Sequence, residues 1–174
     1  MAQPFRCHCC GKTYDGIPAH HADRPAPYWD VPENKRESDV FLTSDSCVIA
    51  DRFFFVHGLI HVPIREMDQF QSWGVWVSLS ETNFFLWQDH YEVAKRSHIG
   101  PFFGWLCSLI SVYPETMHLK TMVHLQDNGI RPSVVLEATD HPLAVDQNQG
   151  ITIDRAMELV HQIESQNQKG HDVP

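Results

Sequence analysis

Residues 73–81 read Trp73-Gly-Val-Trp-Val-Ser-Leu-Ser-Glu81, and this stretch carries the change of period that decides the fold. Trp73, Val75, Val77 and Leu79 alternate with Gly74, Trp76 and Ser78. Alternation with period two marks a strand with one face on a core. Ser80 then stands where a helix N-cap belongs, and Glu81 supplies a first-turn acid favourable to the helix dipole. The stretch predicts a strand that hands over directly to a helix running to about Arg96.

On the N-terminal side, Arg52 to Ile64 reads as a second strand, joined to a short one at Cys47-Val-Ile by a tight turn near Ala50-Asp51. Phe54, Val56, Ile60 and Val62 share one face, and Phe53, Phe55 and Leu59 share the other with His57 and His61. Apolar residues on both faces predict a central strand with one end emerging. On the C-terminal side, candidate strands lie at Phe102 to Leu106, Leu119 to Leu125 and Ser133 to Ala138, divided by turn signals at Tyr113-Pro114 and Asp127-Asn128-Gly129. A last helix is expected from Ile153 to Gln166, capped by Thr152, with Ile153, Ala156, Met157, Val160 and Ile163 as its apolar stripe. Short connections favour antiparallel pairing. The expected fold is α+β: a curved, mainly antiparallel sheet with two helices packed on it.

The first 40 residues have a different texture. Pro18, Pro25, Pro27 and Pro32 punctuate few apolar residues, which predicts an extended arm with room for a short helix at Pro27 to Trp29. Glu33 to Asp39 reads as a solvated charged run. The chain of 174 residues is expected to be one domain, with the arm at 1–40, the core at 41–168 and a frayed tail at 169–174.

Thirteen Lys and Arg face twenty-two Asp and Glu, for a net charge of −9. No cationic run exceeds two residues, so a nucleic-acid partner is disfavoured and a basic protein partner is the better match. No segment approaches the ~20 apolar residues that cross a bilayer, and residues 1–10 contain no signal-peptide core. A cytoplasmic location without a membrane partner is expected. Oligomeric state has no sequence signal.

Cys7-x-x-Cys10-Gly11 has the form of half a zinc knuckle. Two thiolates three positions apart grip one tetrahedral ion, and glycine permits the turn beneath it. A structural zinc site needs four ligands. Cys47 is the expected third, and the fourth is open among His8, Cys9, His20 and His21. Reduced cysteines with no metal, Cys47 and Cys107 among them as small buried hydrophobes, account for the same residues.

Glu137, Asp140 and His141 form a second cluster, because a carboxylate beside an imidazole is what acid–base catalysis requires. A capped turn uses the same residues. Trp76, Ser78, Lys120, His124 and Arg131 are candidates for a ligand surface, with Trp105 and Phe103 as rings beside it. The chain contains no Gly-x-Ser-x-Gly, no Gly-x-x-x-x-Gly-Lys and no His-Glu-x-x-His.

Several of these strings resemble a bacterial family known as domain of unknown function 2199 (DUF2199). They are Cys7-x-x-Cys10-Gly11, Asp45-x-Cys47-Val-Ile, Trp73 to Glu81, Phe103-Gly-Trp-Leu106, Tyr113-Pro-Glu-Thr116, Leu119-Lys120, Arg131-Pro132, Asp140-His-Pro-Leu-Ala144 and Gly150-Ile-Thr152, in order along the chain. The family pattern carries a histidine after the cysteine pair where this chain has Tyr14; if that histidine is a ligand in relatives, the resemblance implies a metal site altered or lost here. It implies no activity. The functional expectation is a non-catalytic interaction domain, of immunity or toxin-neutralising type, with a structural zinc knuckle. The alternative is a small metal-assisted hydrolase working through Glu137, Asp140 and His141.

Overall fold

The computed structural model describes residues 4–171, with side chains described through Gln166. In chain order the elements are strands Phe5–Arg6 (β1), Thr13–Tyr14 (β2) and His20–His21 (β3), then a 3₁₀ turn at Ala26–Asp30 and helix Glu33–Asp39 (α1). Strands Val40–Leu42 (β4), Ser46–Ile49 (β5), Phe53–Pro63 (β6) and Phe70–Leu79 (β7) lead to helix Glu81–Asp89 (α2). Strands Phe102–Leu106 (β8), Lys120–His124 (β9) and Ser133–Leu136 (β10) precede helices Pro142–Gln149 (α3) and Ile153–His171 (α4).

The expected curved sheet curls until it closes. β6 and β7 form a long antiparallel hairpin from Phe54↔Leu79 to Pro63↔Phe70. β7, β8, β9 and β10 continue antiparallel, and β10 returns to β6 in parallel at Ser133↔Leu59. β6, β7, β8, β9 and β10 therefore make a closed five-stranded barrel. Closure works because β6 is long enough to serve two neighbours on one edge: β5 along Phe53 to Val56, and β10 at Leu59. β7 likewise meets β8 at Val77 and Ser78, and β3 at Trp73 and Gly74. β1 and β2 form a separate two-stranded sheet.

The period-two residues fill the barrel. Val56, Ile60 and Val62 meet Val75, Val77, Phe102, Leu106, Val123 and Val134 in one buried cluster. Helices add Phe84 and Trp87 from α2, Leu143 and Ala144 from α3, and Ala156 and Leu159 from α4. A second cluster lies outside the barrel, where Cys47, Ile49, Phe55, Trp76 and Cys107 are covered by Ala22, Tyr28 and Val31 of the arm. Two hydrogen bonds fasten that cover, from Trp76 Nε1 to Ala22 O and from Ala26 N to Cys107 O, both 2.8 Å.

The described residues hold four α-helices where two were expected. The charged run Glu33 to Asp39 is helical with no buried residue, consistent with a solvated face. The segment expected as a turn after Glu137 instead starts α3, with Pro142 in the first turn and His141 as its cap. α2 stops at Asp89, short of Arg96. Arg96 is buried and donates to the carbonyls of Tyr91, Gln126 and Ile130, which ties residues 90–99 to the loop before β10 and draws them off the helix axis. α4 starts as expected, with Thr152 Oγ1 accepting from Arg155 N at 3.2 Å, and continues past Gln166 to His171. The end of the expected tail, residues 172–174, lies outside the described residues.

Candidate metal centre

The N-terminal loop between β1 and β2 folds tightly, with Gly11 N donating to Cys7 O and Cys7 N to Lys12 O. Gly11 sits at φ +71, a left-handed conformation glycine adopts without steric cost. The turn points Cys7, Cys9 and Cys10 toward one side, and α4 brings His161 to meet them. The four ligand atoms all lie within 4.8 Å of one another. Cys7 Sγ is 2.9 Å from Cys9 Sγ, and Cys9 Sγ is 3.6 Å from His161 Nδ1.

Metal–ligand bonds of ~2.3 Å to sulfur and ~2.1 Å to nitrogen place tetrahedral ligands roughly 3.5–3.8 Å apart. The observed spacings bracket that range, so side-chain rotations of about 1 Å seat an ion. A three-Cys, one-His group of this kind can hold a metal. Burial pushes the Cys7 thiol up, but hydrogen bonds involving Cys9 and Cys10 outweigh it and draw it below its ordinary value. Its hydrogen-bond partner Cys9 is correspondingly pushed up to about 11. Metal binding requires these thiols to be deprotonated.

Two of the expected ligands, Cys7 and Cys10, belong to this group and Cys47 does not. Cys47 is fully buried in the outer cluster beside Phe55 and Trp76, where burial pushes its thiol up to about 11. The arm enters the main sheet beside β7, whereas Cys47 sits on β5 beyond β6, so the knuckle and Cys47 lie apart. Of the four open choices for the last ligand, only Cys9 joins. His8 pairs with Asp154 at 3.3 Å, His20 stacks on Trp73, and His21 packs over Gly74.

Sequence reasoning did not single out His161. Its signal was positional: it follows Met157 by one helical turn and borders the apolar stripe of α4. Tyr14 lies beside the group, its hydroxyl 3.7 Å from Cys10 Sγ and its ring 6.5 Å from that of His161. Cys7, Cys9 and His161 form one wall of a cleft of about 1080 Å³ between the loop and α4.

The other candidates are dispersed. His141 Nδ1 accepts from Leu143 N at 3.2 Å, which leaves the ring proton on Nε2 to donate to Glu115 O. That ring is engaged at both ends. Glu137 pairs with Lys120 at 3.5 Å, and Asp140 is exposed. Arg131 donates to Asp45 at 2.8 Å, on the β5 side of the barrel. His124 and Lys120 occupy opposite ends of β9, roughly 13 Å apart at ~3.3 Å per residue. Trp76 is buried and serves the outer cluster. Ser78 and Trp105 are cross-strand neighbours, and with Phe53, Phe55, Cys107 and His118 they border an apolar cleft of about 710 Å³ beneath the arm.

His57 is a buried polar side chain on the outer face of β6, against Trp76 at 5.0 Å, and neither ring nitrogen has a partner. Burial lowers its pKa to about 4, with Arg131 and His21 adding to the effect and Asp45 opposing it. The folded state therefore keeps His57 neutral where the unfolded chain takes up a proton. Stability from this group is intact above pH 6.5 and falls as pH drops toward 4, by about 3 kcal/mol in all. Asp45, held low by Ser44, Arg131 and Tyr91 against its burial, acts only below pH 3.8. Denaturant melts of metal-free protein should show this loss between pH 7.5 and 4.5; burial also lowers His20 and His61, so His57→Leu should remove the His57 share and leave theirs.

A family model described as "uncharacterized protein conserved in bacteria" (DUF2199) matches residues 6–151. No curated protein and no solved structure gives a significant match. No helix among the described residues is long and apolar enough to cross a membrane. The matched span includes Cys7, Cys9 and Cys10 and stops before His161.

Proposed function

We propose, for a chain that belongs to the bacterial DUF2199 family, that it is a non-catalytic barrel domain whose N-terminal loop is clasped to its C-terminal helix by one structural zinc ion. The observation that carries this reading is the convergence of Cys7, Cys9, Cys10 and His161. Three thiolates and one imidazole suit zinc, and four protein ligands complete a tetrahedron with no position open for substrate water. That argues against the hydrolase alternative, as does the use of His141 as a helix cap.

The clasp has a mechanical role to fill. β1 and β2 pair only with each other, so no sheet hydrogen bond fastens this loop to the barrel. Its other attachments among the described residues include a small apolar cluster of Cys7, Met157 and Val160 and the exposed pair of His8 with Asp154. An ion joining residue 7 to residue 161 closes a loop of most of the chain, and such cross-links restrict the unfolded ensemble most.

A second reading, docking of a basic protein partner, is favoured by one observation. Phe103, Trp105 and Val135 stand half-exposed on the outer faces of β8 and β10 of a chain with net charge −9.

Native mass spectrometry of gently purified protein tests both readings. The expected mass is one chain plus one zinc, with the zinc removed by a strong chelator and fast amide exchange then appearing in residues 5–17. A metal-free chain under those conditions would overturn the clasp. A co-purifying basic protein would support the second reading, and its absence would count against it.

A further inference from the structure

We propose that the clasp is a peroxide-sensitive catch: oxidation of two of its thiolates to a disulfide expels the zinc and releases the N-terminal loop. This inference rests on the zinc reading above. It is carried by the arrangement of the five cysteines, which divide into two classes. Cys9 and Cys10 are exposed, and Cys7 and Cys9 line the 1080 Å³ cleft, where a small oxidant can enter. Cys47 and Cys107 are buried in the outer cluster beneath the arm, Cys107 at the wall of the separate 710 Å³ cleft, and burial pushes both thiols up.

The three clasp sulfurs are already neighbours. Cys7 Sγ and Cys9 Sγ are 2.9 Å apart, and Cys10 Sγ lies within 4.8 Å of both. Any one disulfide among them removes two of four ligands at once. The remaining thiolate and His161 make a two-ligand site, too weak to retain zinc against solvent.

The chemistry needs only hydrogen peroxide as oxidant. One thiolate attacks the terminal peroxide oxygen and breaks the O–O bond, giving a sulfenic acid and, after protonation, water. A second thiolate attacks that sulfur, forms the S–S bond and displaces hydroxide, which is protonated to a second water. Two sulfurs are each oxidised by one electron, hydrogen peroxide accepts both, two protons are consumed, and the zinc leaves unchanged as the divalent ion. A dithiol reverses the step, and restored zinc re-forms the clasp.

The structural consequence is local. Ala156 and Leu159 keep α4 packed on the barrel cluster, whereas Met157 and Val160 on the same helix are covered by the knuckle loop. Release uncovers Met157 and Val160 while leaving the barrel intact. The catch therefore converts an oxidant into a newly exposed apolar strip.

The test uses the full zinc-loaded chain, its stoichiometry first fixed by native mass spectrometry. Hydrogen peroxide is added, released zinc is followed with 4-(2-pyridylazo)resorcinol, and peptide mapping locates the disulfide. The expected result is one zinc released per chain, in step with a disulfide within Cys7, Cys9 and Cys10, and reversed by dithiothreitol plus zinc. Cys47→Ser/Cys107→Ser protein should respond at the same rate. A chain that carries no zinc at the outset fails the metal reading itself. A chain that carries zinc and keeps it under peroxide, or loses it through a disulfide involving Cys47 or Cys107, overturns the catch while the clasp stands.

Discussion

Cys7→Ser is expected to lower zinc affinity by more than about a hundredfold, since partners that merely orient a ligand are already worth 10–100-fold. Cys7 is the buried member of the triad and the one that packs on Met157 and Val160, so its loss removes a ligand and loosens the loop together. With free zinc well above the dissociation constant, a hundredfold loss costs about 2.7 kcal/mol of ligand-linked stability. At ~2–4 °C per kcal/mol for a chain of this size, the zinc-loaded melting temperature falls by roughly 5–10 °C. Metal-free wild type and variant should melt closer together, because only the lost packing of Cys7 on Met157 and Val160 then separates them. His161→Ala should behave alike. Cys47→Ser should retain full zinc content. Isothermal titration with zinc, paired with melting curves, checks all three, and a Cys47→Ser protein that loses its zinc would count against the assigned ligand set.

Gly104→Ala is expected to be the most damaging small substitution in the barrel. Gly104 lies on β8 where that strand crosses β7, and an added Cβ would come within 2.4 Å of both Ser78 O and Val77 Cγ1. Ser78 O is backbone in the wall and cannot rotate away. Accommodation means spreading β7 from β8, next to the bond from Thr121 Oγ1 to Gly104 O at 2.9 Å. Overpacking of a core costs ~1–3 kcal/mol, and a backbone clash belongs at the upper end, about 3 kcal/mol. The melting temperature should drop by roughly 6–12 °C. Gly129→Ala is the comparison: Gly129 has φ +72 but nothing within 4 Å of the added carbon, so only the left-handed strain of about 1 kcal/mol applies. Equal losses in the two variants would show that the β7–β8 contact is not limiting.

The strands were legible because they obey one period. β6 and β7 announced themselves through Phe54, Val56, Trp73, Val75 and Val77, whose alternation matches the buried face of the barrel. Ser80 and Thr152 marked helix starts because a capping hydroxyl is a local device. Closure was not legible. It depends on a single parallel pair, Ser133 with Leu59, seventy-odd residues apart in sequence, and no local pattern encodes such a partner. α3 was hidden because Asp140-His141-Pro142 is equally a turn and a helix entrance, and only the contacts of Leu143 and Ala144 decide between them. The metal group was half legible for the same reason. Cys7 and Cys10 share a local spacing, whereas His161 reaches them across 154 residues through the packing of α4. Cys47 looked suitable by residue type and is excluded by which side of β6 its strand occupies.

The sharing of β6 and β7 among several neighbours has a consequence for the life of the protein in a crowded solution. A sheet of eight strands would ordinarily present two long rows of unpaired amides and carbonyls to any other extended chain. Here closure consumes most of the barrel strands' edges, and the terminal strands of the main sheet are only the two residues of β3 and the three of β4. Strands that short give an incoming peptide almost nothing to template on. The sheet's edges are thereby protected by topology, and that protection lasts only as long as β10 holds β6.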